Sequence, residues 1–214
     1  MAQSQPDWRV LLIGGSSGVG KTLVARELAG HFGVSLILAD DVRLALQEVT
    51  TPAQNPDLHT FITEGSTAFD SPAAVQDGLA AVAAAMVPAL KVIMAHHVVV
   101  EGAGSIIIEG DSILPELAVA RDFGELTHFQ GFKPTREVRG VFLFEPDESI
   151  VLRNMRARGR GFQDAPPTVQ AALVSGSWQY GQWLRSEAER QGVPVILSRP
   201  YETLAERIRA VCGA

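Results

Sequence analysis

The chain has 214 residues, of which 46% are hydrophobic and 20% are charged, and its formal net charge is −6. This length and composition are typical of a single folded α/β domain with room for an insertion. No dense stripe of lysine and arginine interrupts the acidic composition, which argues against nucleic acid as a partner. No uncharged apolar run of about 18 or more residues predicts a membrane span, so we do not expect a membrane partner either.

Two further features bear on where the protein works. Cys212 is the only cysteine, so the chain cannot form an internal disulfide, which agrees with a reducing compartment. The segment from Met1 to Trp8 is polar and lacks the basic and apolar regions of a secretory signal. We therefore expect a cytoplasmic protein, and its oligomeric state stays open.

The segment from Gly15 to Thr22 matches the phosphate-binding pattern G-x-x-x-x-G-K-[ST] at every fixed position. The apolar run Val10 to Ile13 predicts a buried strand before it, and Leu23 to Ala29 has a helical pattern after it. In such a loop the backbone N–H groups and the helix N-terminus point at a polyphosphate, and the lysine adds a positive charge. The predicted nucleotide-binding residues here are Gly15, Ser16, Ser17, Gly18, Val19, Gly20, Lys21 and Thr22.

A second short strand is predicted for Ser35 to Ala39, and it ends on two acids, Asp40 and Asp41, before a helix from Val42 to Glu48. In open parallel sheets, ligands bind beyond the carboxyl ends of the strands, where the glycine-rich loop also lies. We therefore expect both carboxylates to face the phosphates.

Two stretches compete for the third strand, one ending on Glu101 and the other on Glu109. We favour Ser105 to Glu109, because Gly102-Ala103-Gly104 makes a break after a helix and turn residues flank the isoleucine run. Glu109, with Asp111 as the alternative, is then the acid expected near magnesium in such folds.

Residues 47–100 are interpreted as a cap insertion for the acceptor. Residues 50–72 hold few periodic runs, which favours loops around a short helix near His59 to Glu64. Ala73 to Val87 has a helical composition, and a second helical run is predicted after Pro88.

Residues 153–165 are interpreted as a lid, because arginines cluster there beside Gly159 and Gly161. Arginine forks match phosphate oxygens, and glycines permit closure over a bound triphosphate. The alternative is a solvated basic helix end. The cluster contains Arg153, Arg156, Arg158 and Arg160. We expect Arg156 and Arg160 to be catalytic residues and Arg153 to contact the nucleotide.

The last two strands are predicted for Val138 to Glu145 and Val193 to Leu197. The loop after the fifth strand contains Arg199 and Pro200. By topology this loop lies near the nucleotide base, so we expect both residues to bind the nucleotide.

Three motifs carry a resemblance to a known family: Gly14 to Thr22, Ala39 to Arg43, and Ile107 to Gly110 with Pro115 shortly after. Together they resemble the P-loop kinases that phosphorylate small molecules, and the likeness is greatest to the 2-phosphoglycerate kinases. The resemblance implies a three-layer P-loop NTPase fold with a five-stranded parallel sheet in the order 2-3-1-4-5.

The same resemblance implies roles for individual residues. Lys21 and the loop amides would hold the β- and γ-phosphates of ATP, and Thr22 and Glu109 would bind Mg²⁺. Asp40 would orient or deprotonate the acceptor hydroxyl, Arg43 would bind an anionic group of the acceptor, and Glu109 would also lie beside the substrate. Asp41 is an extra acid, and neighbouring carboxylates raise one another's pKa, so either acid is a candidate base.

The leading hypothesis is thus phosphoryl transfer from Mg-ATP to a hydroxyl of a small metabolite, with an anionic acceptor as one option. The rival hypotheses are an acceptor-independent ATPase or nucleotide switch, and a kinase of antibiotics or sugars. A preference for ATP over GTP is not readable from these motifs.

Overall fold

The structure is a computed structural model, and it describes residues 6–100, 102–121, 123–124, 126, 128–129, 137–159 and 161–212. The described residues form a five-stranded sheet in the order β2-β3-β1-β4-β5, and every strand pair is parallel. The strands are β1 (Val10–Gly14), β2 (Ser35–Leu38), β3 (Ile106–Glu109), β4 (Val138–Phe144) and β5 (Val195–Leu197). The predicted fold class and strand order are confirmed.

Helices cover both faces of this sheet. They are α1 (Lys21–Phe32), α2 (Ala39–Val49), α3 (Pro72–Val99), α4 (Pro115–Val119), α5 (Glu148–Arg158), α6 (Pro167–Arg190) and α7 (Leu204–Cys212). Alternate residues of a strand point to opposite faces. Val10 and Leu12 accordingly join the core formed with α3, α4 and α6, whereas Leu11 and Ile13 join the core formed with α1 and α7.

The strand register brings separate motifs to one edge of the sheet. β1 lies between β3 and β4, and Ile13 pairs with Glu109 where both strands end. The glycine-rich loop after β1 therefore begins beside the acid that ends β3. The prediction that Ser105 to Glu109 contains the central third strand is confirmed, whereas Val98 and Val99 belong to the last turn of α3.

The prediction of two helices divided at Pro88 is wrong, because α3 is one helix of 28 residues with Pro88 inside it. Met86, Leu90 and Met94 are fully buried and pack in the core that α3 shares with the sheet and α6. This packing holds the helix together across the proline, which local propensity alone disfavours. By length and composition α3 is apolar enough to cross a membrane, but helices with a buried core face pass the same test.

The segment between α2 and α3 also differs from expectation. Residues 50–71 form turns without the short helix predicted near His59. His59 is buried, and its Nε2 lies 3.1 Å from the Thr50 hydroxyl, so local contacts replace the helix. The interpretation of residues 47–100 as an acceptor cap stays a prediction.

Candidate active site

The loop between β1 and α1 has the backbone shape that a phosphate-binding loop requires. Gly15, Gly18 and Gly20 have φ angles of 137°, 82° and 91°, a region that glycine occupies without strain. A Cβ on Gly15 would lie 2.5 Å from the Leu143 carbonyl oxygen. The loop therefore needs these glycines to curl over the end of the sheet and present its N–H groups to an anion.

Lys21 begins α1 and is 8% exposed. Its Nζ donates a 2.8 Å hydrogen bond to the carbonyl oxygen of Ser16, which leaves other ammonium protons for a ligand. Burial lowers the pKa of Lys21, and the negative charges of Asp111, Glu109 and Asp40 oppose that shift. A buried cation at the loop is suited to binding phosphate oxygens.

Thr22 and Glu109 meet at the other side of the loop. The Thr22 hydroxyl donates a 2.7 Å hydrogen bond to Oε1 of Glu109, whose side chain is buried at the end of β3. Hydroxyl and carboxylate oxygens suit Mg²⁺, which commonly takes one or two carboxylates together with substrate phosphates. Within the described ranges, no group of three or more acidic, histidine or cysteine side chains forms a complete metal site. Thr22 and Glu109 thus supply two such oxygens beside the loop.

Asp111, the alternative acid for the end of β3, also lies in this site. The Ser17 hydroxyl donates a 3.2 Å hydrogen bond to Oδ2 of Asp111. The hydroxyl of Tyr180, a fully buried residue of α6, donates a 2.8 Å hydrogen bond to the Asp111 carbonyl oxygen. The structure thus brings both candidate acids to the loop, at different points along it.

Asp40 and Asp41 have different surroundings. Both lie in the first turn of α2 and not at the end of the second strand as predicted, because β2 ends at Leu38 and α2 begins at Ala39. Asp40 is half-buried and accepts a 3.2 Å hydrogen bond from Arg43, and Nη2 of Arg158 lies 4.0 Å from its other oxygen. Asp41 is exposed. Of the two acids, Asp40 faces the cavity described next.

A cavity of about 450 Å³ unites these groups, a volume typical of small-molecule sites. Its lining includes Ser17, Lys21, Thr22, Arg26, Asp40, Glu109, Asp111, Asn154, Arg158 and Tyr201. The glycine-rich loop, the Thr22–Glu109 oxygens and the Asp40 carboxylate therefore share one cavity. Arg43 contacts Asp40 from outside this lining.

The arginines of the predicted lid lie on different sides of α5. Arg158 reaches the cavity together with Asn154, one helical turn earlier. Asn154 donates hydrogen bonds of 2.7 Å to the Gly18 carbonyl and 2.9 Å to the Tyr201 hydroxyl. Arg156 is exposed and outside the cavity lining, and Arg153 lines a neighbouring shallow pocket. Arg160 lies outside the described residues, so its predicted role and the lid stay predictions.

Arg199 and Pro200 line the same shallow pocket as Arg153. Arg199 forms a two-pronged contact with Glu145, with Nε 2.7 Å from Oε2 and Nη2 2.8 Å from Oε1, and Ser198 donates to the same carboxylate at 2.9 Å. Burial of Glu145 acts to raise its pKa, but hydrogen bonds from Arg199, the Asp147 N–H and Ser198 hold that pKa below its ordinary value. The arginine predicted to bind the nucleotide thus already has a carboxylate partner.

Asn154, Tyr201 and Glu145 carried no assigned role in the predicted site, and Arg158 was named only as one arginine of the predicted lid. The i, i+4 spacing of Asn154 and Arg158 was a usable signal that both occupy one face of α5. Nothing in the sequence marks Tyr201 or Glu145, because their positions depend on how the β5–α7 loop packs against the end of β4.

Comparison with known proteins gives short sequence matches and a shared fold. No family model matches the chain. Over 52 residues the chain is 42% identical to a 2-phosphoglycerate kinase of Pyrococcus horikoshii and 40% identical to one of Pyrococcus furiosus. Each match covers 24% of this chain and only 17% of the relative.

Solved structures resemble the whole chain. A gluconokinase from Sinorhizobium meliloti 1021 superimposes with a TM-score of 0.51 and 14% identity, covering 98% of this chain and 94% of that one. A shikimate kinase from Bacteroides thetaiotaomicron gives a TM-score of 0.50 and 15% identity, covering 97% and 99%. At such identities the likeness concerns the fold. The chain therefore shares the fold of these two kinases.

Proposed function

We propose that this protein is an ATP-dependent kinase that transfers the terminal phosphoryl group of Mg-ATP to a hydroxyl of a small molecule. The observation that carries the proposal is the meeting of Lys21, the Thr22–Glu109 pair and Asp40 in one cavity. Phosphoryl transfer depends mostly on positioning and charge stabilisation, and these groups supply both.

On the donor side, the glycine-rich loop and Lys21 bind the phosphate oxygens. Thr22 and Glu109 are the residues that would hold Mg²⁺, which when bound neutralises charge on the phosphates. Lys21 is suited to this role because it is buried and its ammonium lies close to the loop. These residues keep the terminal phosphorus in place for attack from the acceptor side.

On the acceptor side, Asp40 accepts a hydrogen bond from the attacking hydroxyl and takes its proton. A bond forms between the acceptor oxygen and the terminal phosphorus as the bond to the bridging oxygen of ATP breaks, and ADP leaves. Arg158, whose Nη2 lies 4.0 Å from Asp40, is placed to stabilise negative charge on the transferred group. Asp40 is favoured over Asp41 as the base because Asp41 is exposed and outside the cavity lining.

The short match to 2-phosphoglycerate kinases supports 2-phosphoglycerate as one candidate acceptor. Sugar acids, sugars and antibiotic alcohols are further candidates of the same reaction class. An ATPase without an acceptor is the rival function. A carboxylate and an arginine facing each other in the cavity favour the kinase, because water attack needs no acceptor pocket beside the loop.

The proposal is tested by incubating the protein with Mg-ATP and a panel of phosphorylated acids, sugar acids, sugars, nucleotides and antibiotic alcohols. Phosphorylated product is detected by ³¹P NMR and ADP release is measured in parallel. Lys21→Ala should reduce turnover by about 100-fold or more, because it removes a preorganised charge at the phosphates. ADP release at the acceptor-free rate with every compound, and no phosphorylated product, would show an ATPase instead.

A further inference from the structure

Asp111 occupies a defined position in the cavity that the proposed reaction does not use. Its carboxylate accepts a hydrogen bond from Ser17 at 3.2 Å, and its backbone carbonyl accepts one from the buried Tyr180 hydroxyl at 2.8 Å. Ser17 lies in the middle of the glycine-rich loop, whereas Thr22, the partner of Glu109, lies in the first turn of α1. Glu109, the last residue of β3, thus contacts the end of the loop, and Asp111, two residues later, contacts its middle.

This separation argues against a shared task for the two acids. Glu109 is bonded to the hydroxyl suited to a metal ion, so Asp111 is not needed to complete that pair. Asp111 also differs from Asp40, which lies beside Arg43 and Arg158. Within the described ranges no arginine or lysine nitrogen lies within 4.0 Å of the Asp111 carboxylate, and the charge of Asp111 acts on Lys21 from beyond that distance. Its oxygens therefore keep capacity for a ligand.

An ionised carboxylate at this position restricts which chemical groups a ligand can place against it. A carboxylate accepts hydrogen bonds and donates none, so it binds a hydroxyl and repels a carboxylate or phosphate placed at the same point. The Tyr180 anchor fixes the backbone at Asp111, which limits how far the side chain can retreat from an anion.

Building on the proposed function, we propose that Asp111 is a specificity-determining residue that binds a second hydroxyl of the acceptor, adjacent to the hydroxyl that is phosphorylated. The acceptor is then a vicinal diol, a class that includes glycerate, sugar acids and sugars. 2-Phosphoglycerate carries a phosphate where a diol carries the second hydroxyl, so the inference makes it a poor acceptor.

The test compares acceptors that differ by one hydroxyl, glycerate with 3-hydroxypropionate and 1,2-propanediol with 1-propanol, at saturating Mg-ATP. The unaltered protein should favour each diol by about tenfold or more in kcat/KM, since a polar group left without its partner is costly. In Asp111→Ala this ratio should fall to near one while the KM for ATP stays unchanged. Asp111→Asn, which keeps one accepting oxygen, should retain part of the preference.

Asp77→Asn is the matched control, because Asp77 is an exposed acid of α3 outside the cavity lining. The ratio compares two acceptors on the same enzyme sample, so partial misfolding of a variant does not change it. An unchanged ratio in Asp111→Ala, or a raised KM for ATP with the ratio retained, would overturn this inference and leave the kinase proposal standing. If no acceptor in the broad panel is phosphorylated by the unaltered protein, both proposals fail.

Discussion

The hydroxyl of Thr22 donates a 2.7 Å hydrogen bond to the carboxylate of Glu109, across 87 positions of the chain. This contact joins the first turn of α1 to the end of β3. It exists because β1 and β3 are adjacent and in register, with Ile13 opposite Glu109. Two oxygens suited to Mg²⁺ are thereby held beside the phosphate-binding loop.

Glu109→Gln should weaken the dependence of turnover on magnesium. The amide keeps the shape of the side chain but loses its charge, so the apparent Mg²⁺ affinity should fall by about 10- to 100-fold. The measurement is a magnesium titration of initial rates at constant ATP. Glu116→Gln is the control, because Glu116 is an exposed acid of α4. If the initial rates of the two variants depend equally on magnesium concentration, Glu109 does not bind the metal ion.

Asp40→Asn should suppress phosphoryl transfer and spare nucleotide binding. Loss of a general base typically lowers kcat by about 10²- to 10⁴-fold. Steady-state kinetics together with calorimetric titration of Mg-ATP separates the two effects. Asp41→Asn is the neighbouring control, since Asp41 is exposed on the same turn of α2. A large loss of kcat in Asp41→Asn alone would show that the base is Asp41.

Lys21→Met should stabilise the ligand-free protein at neutral pH. Burial lowers the pKa of Lys21 from its ordinary 10.5, so the unfolded chain holds that proton more tightly than the folded chain. The free-energy cost of burying the charged Lys21 is therefore fully present below the lowered pKa. It disappears as pH rises to 10.5, where the unaltered protein should become as stable as the variant.

Melting temperatures of both proteins between pH 7 and pH 10.5 test this expectation. The difference in melting temperature between the two proteins should be largest at neutral pH and should decrease steadily as pH rises. Lys91→Met is the comparison variant, because Lys91 lies partly exposed on α3. A difference that widens with pH would contradict the assigned sign.

Glu145→Gln should loosen the loop that carries Arg199 and Tyr201. The buried carboxylate accepts hydrogen bonds from Ser198 and Arg199, so its neutralisation should lower the melting temperature by about 5 °C. Tyr201 lines the cavity, so the KM for ATP should rise more than kcat falls.

The pH dependence of this variant follows from the lowered pKa of Glu145. The ionised Glu145 carboxylate contributes its full stabilisation of the folded protein above its ordinary pKa of 4.5. This stabilisation is lost as pH falls through the lowered pKa of the folded state. The two melting curves should therefore approach each other in acid. Glu202→Gln, at an exposed position of the same loop, should match the unaltered protein at every pH.

The donor half of the site was readable from contiguous residues. Gly15 to Thr22 carries its geometry in its own spacing, since glycine tolerance of positive φ and the lysine after the last glycine are local properties. The choice of the stretch ending on Glu109 over the one ending on Glu101 as the third strand was also correct, because the turn residues around the isoleucine run mark that strand locally. The helix break predicted at Pro88 is wrong, because burial of Met86, Leu90 and Met94 outweighs the free-energy cost of a proline inside a helix.

The residues proposed to act on the acceptor are positioned by packing between distant segments of the chain. Arg158 faces the cavity and Arg156 does not, because the apolar side of α5, with Val151 fully buried, sets the rotation of the helix against the core. The backbone carbonyl of Asp111 is held by the Tyr180 hydroxyl of α6, 69 positions away. Sequence spacing shows that Asn154 and Arg158 share one face of α5, but it does not show that this face is turned towards the cavity. It contains no information on the position of Asp111.

The sequence by itself determined the glycine-rich loop, the parallel α/β fold, the acid that ends β3 and the two acids that closely follow β2, because strand and loop patterns are local. Only the tertiary structure decided that Asp40 and not Asp41 shares the cavity with Lys21. It alone placed Asp111 at Ser17 and paired Arg199 with Glu145. Which side chains meet is decided by the strand register and by the faces that helices must bury, and both are properties of the packed chain as a whole.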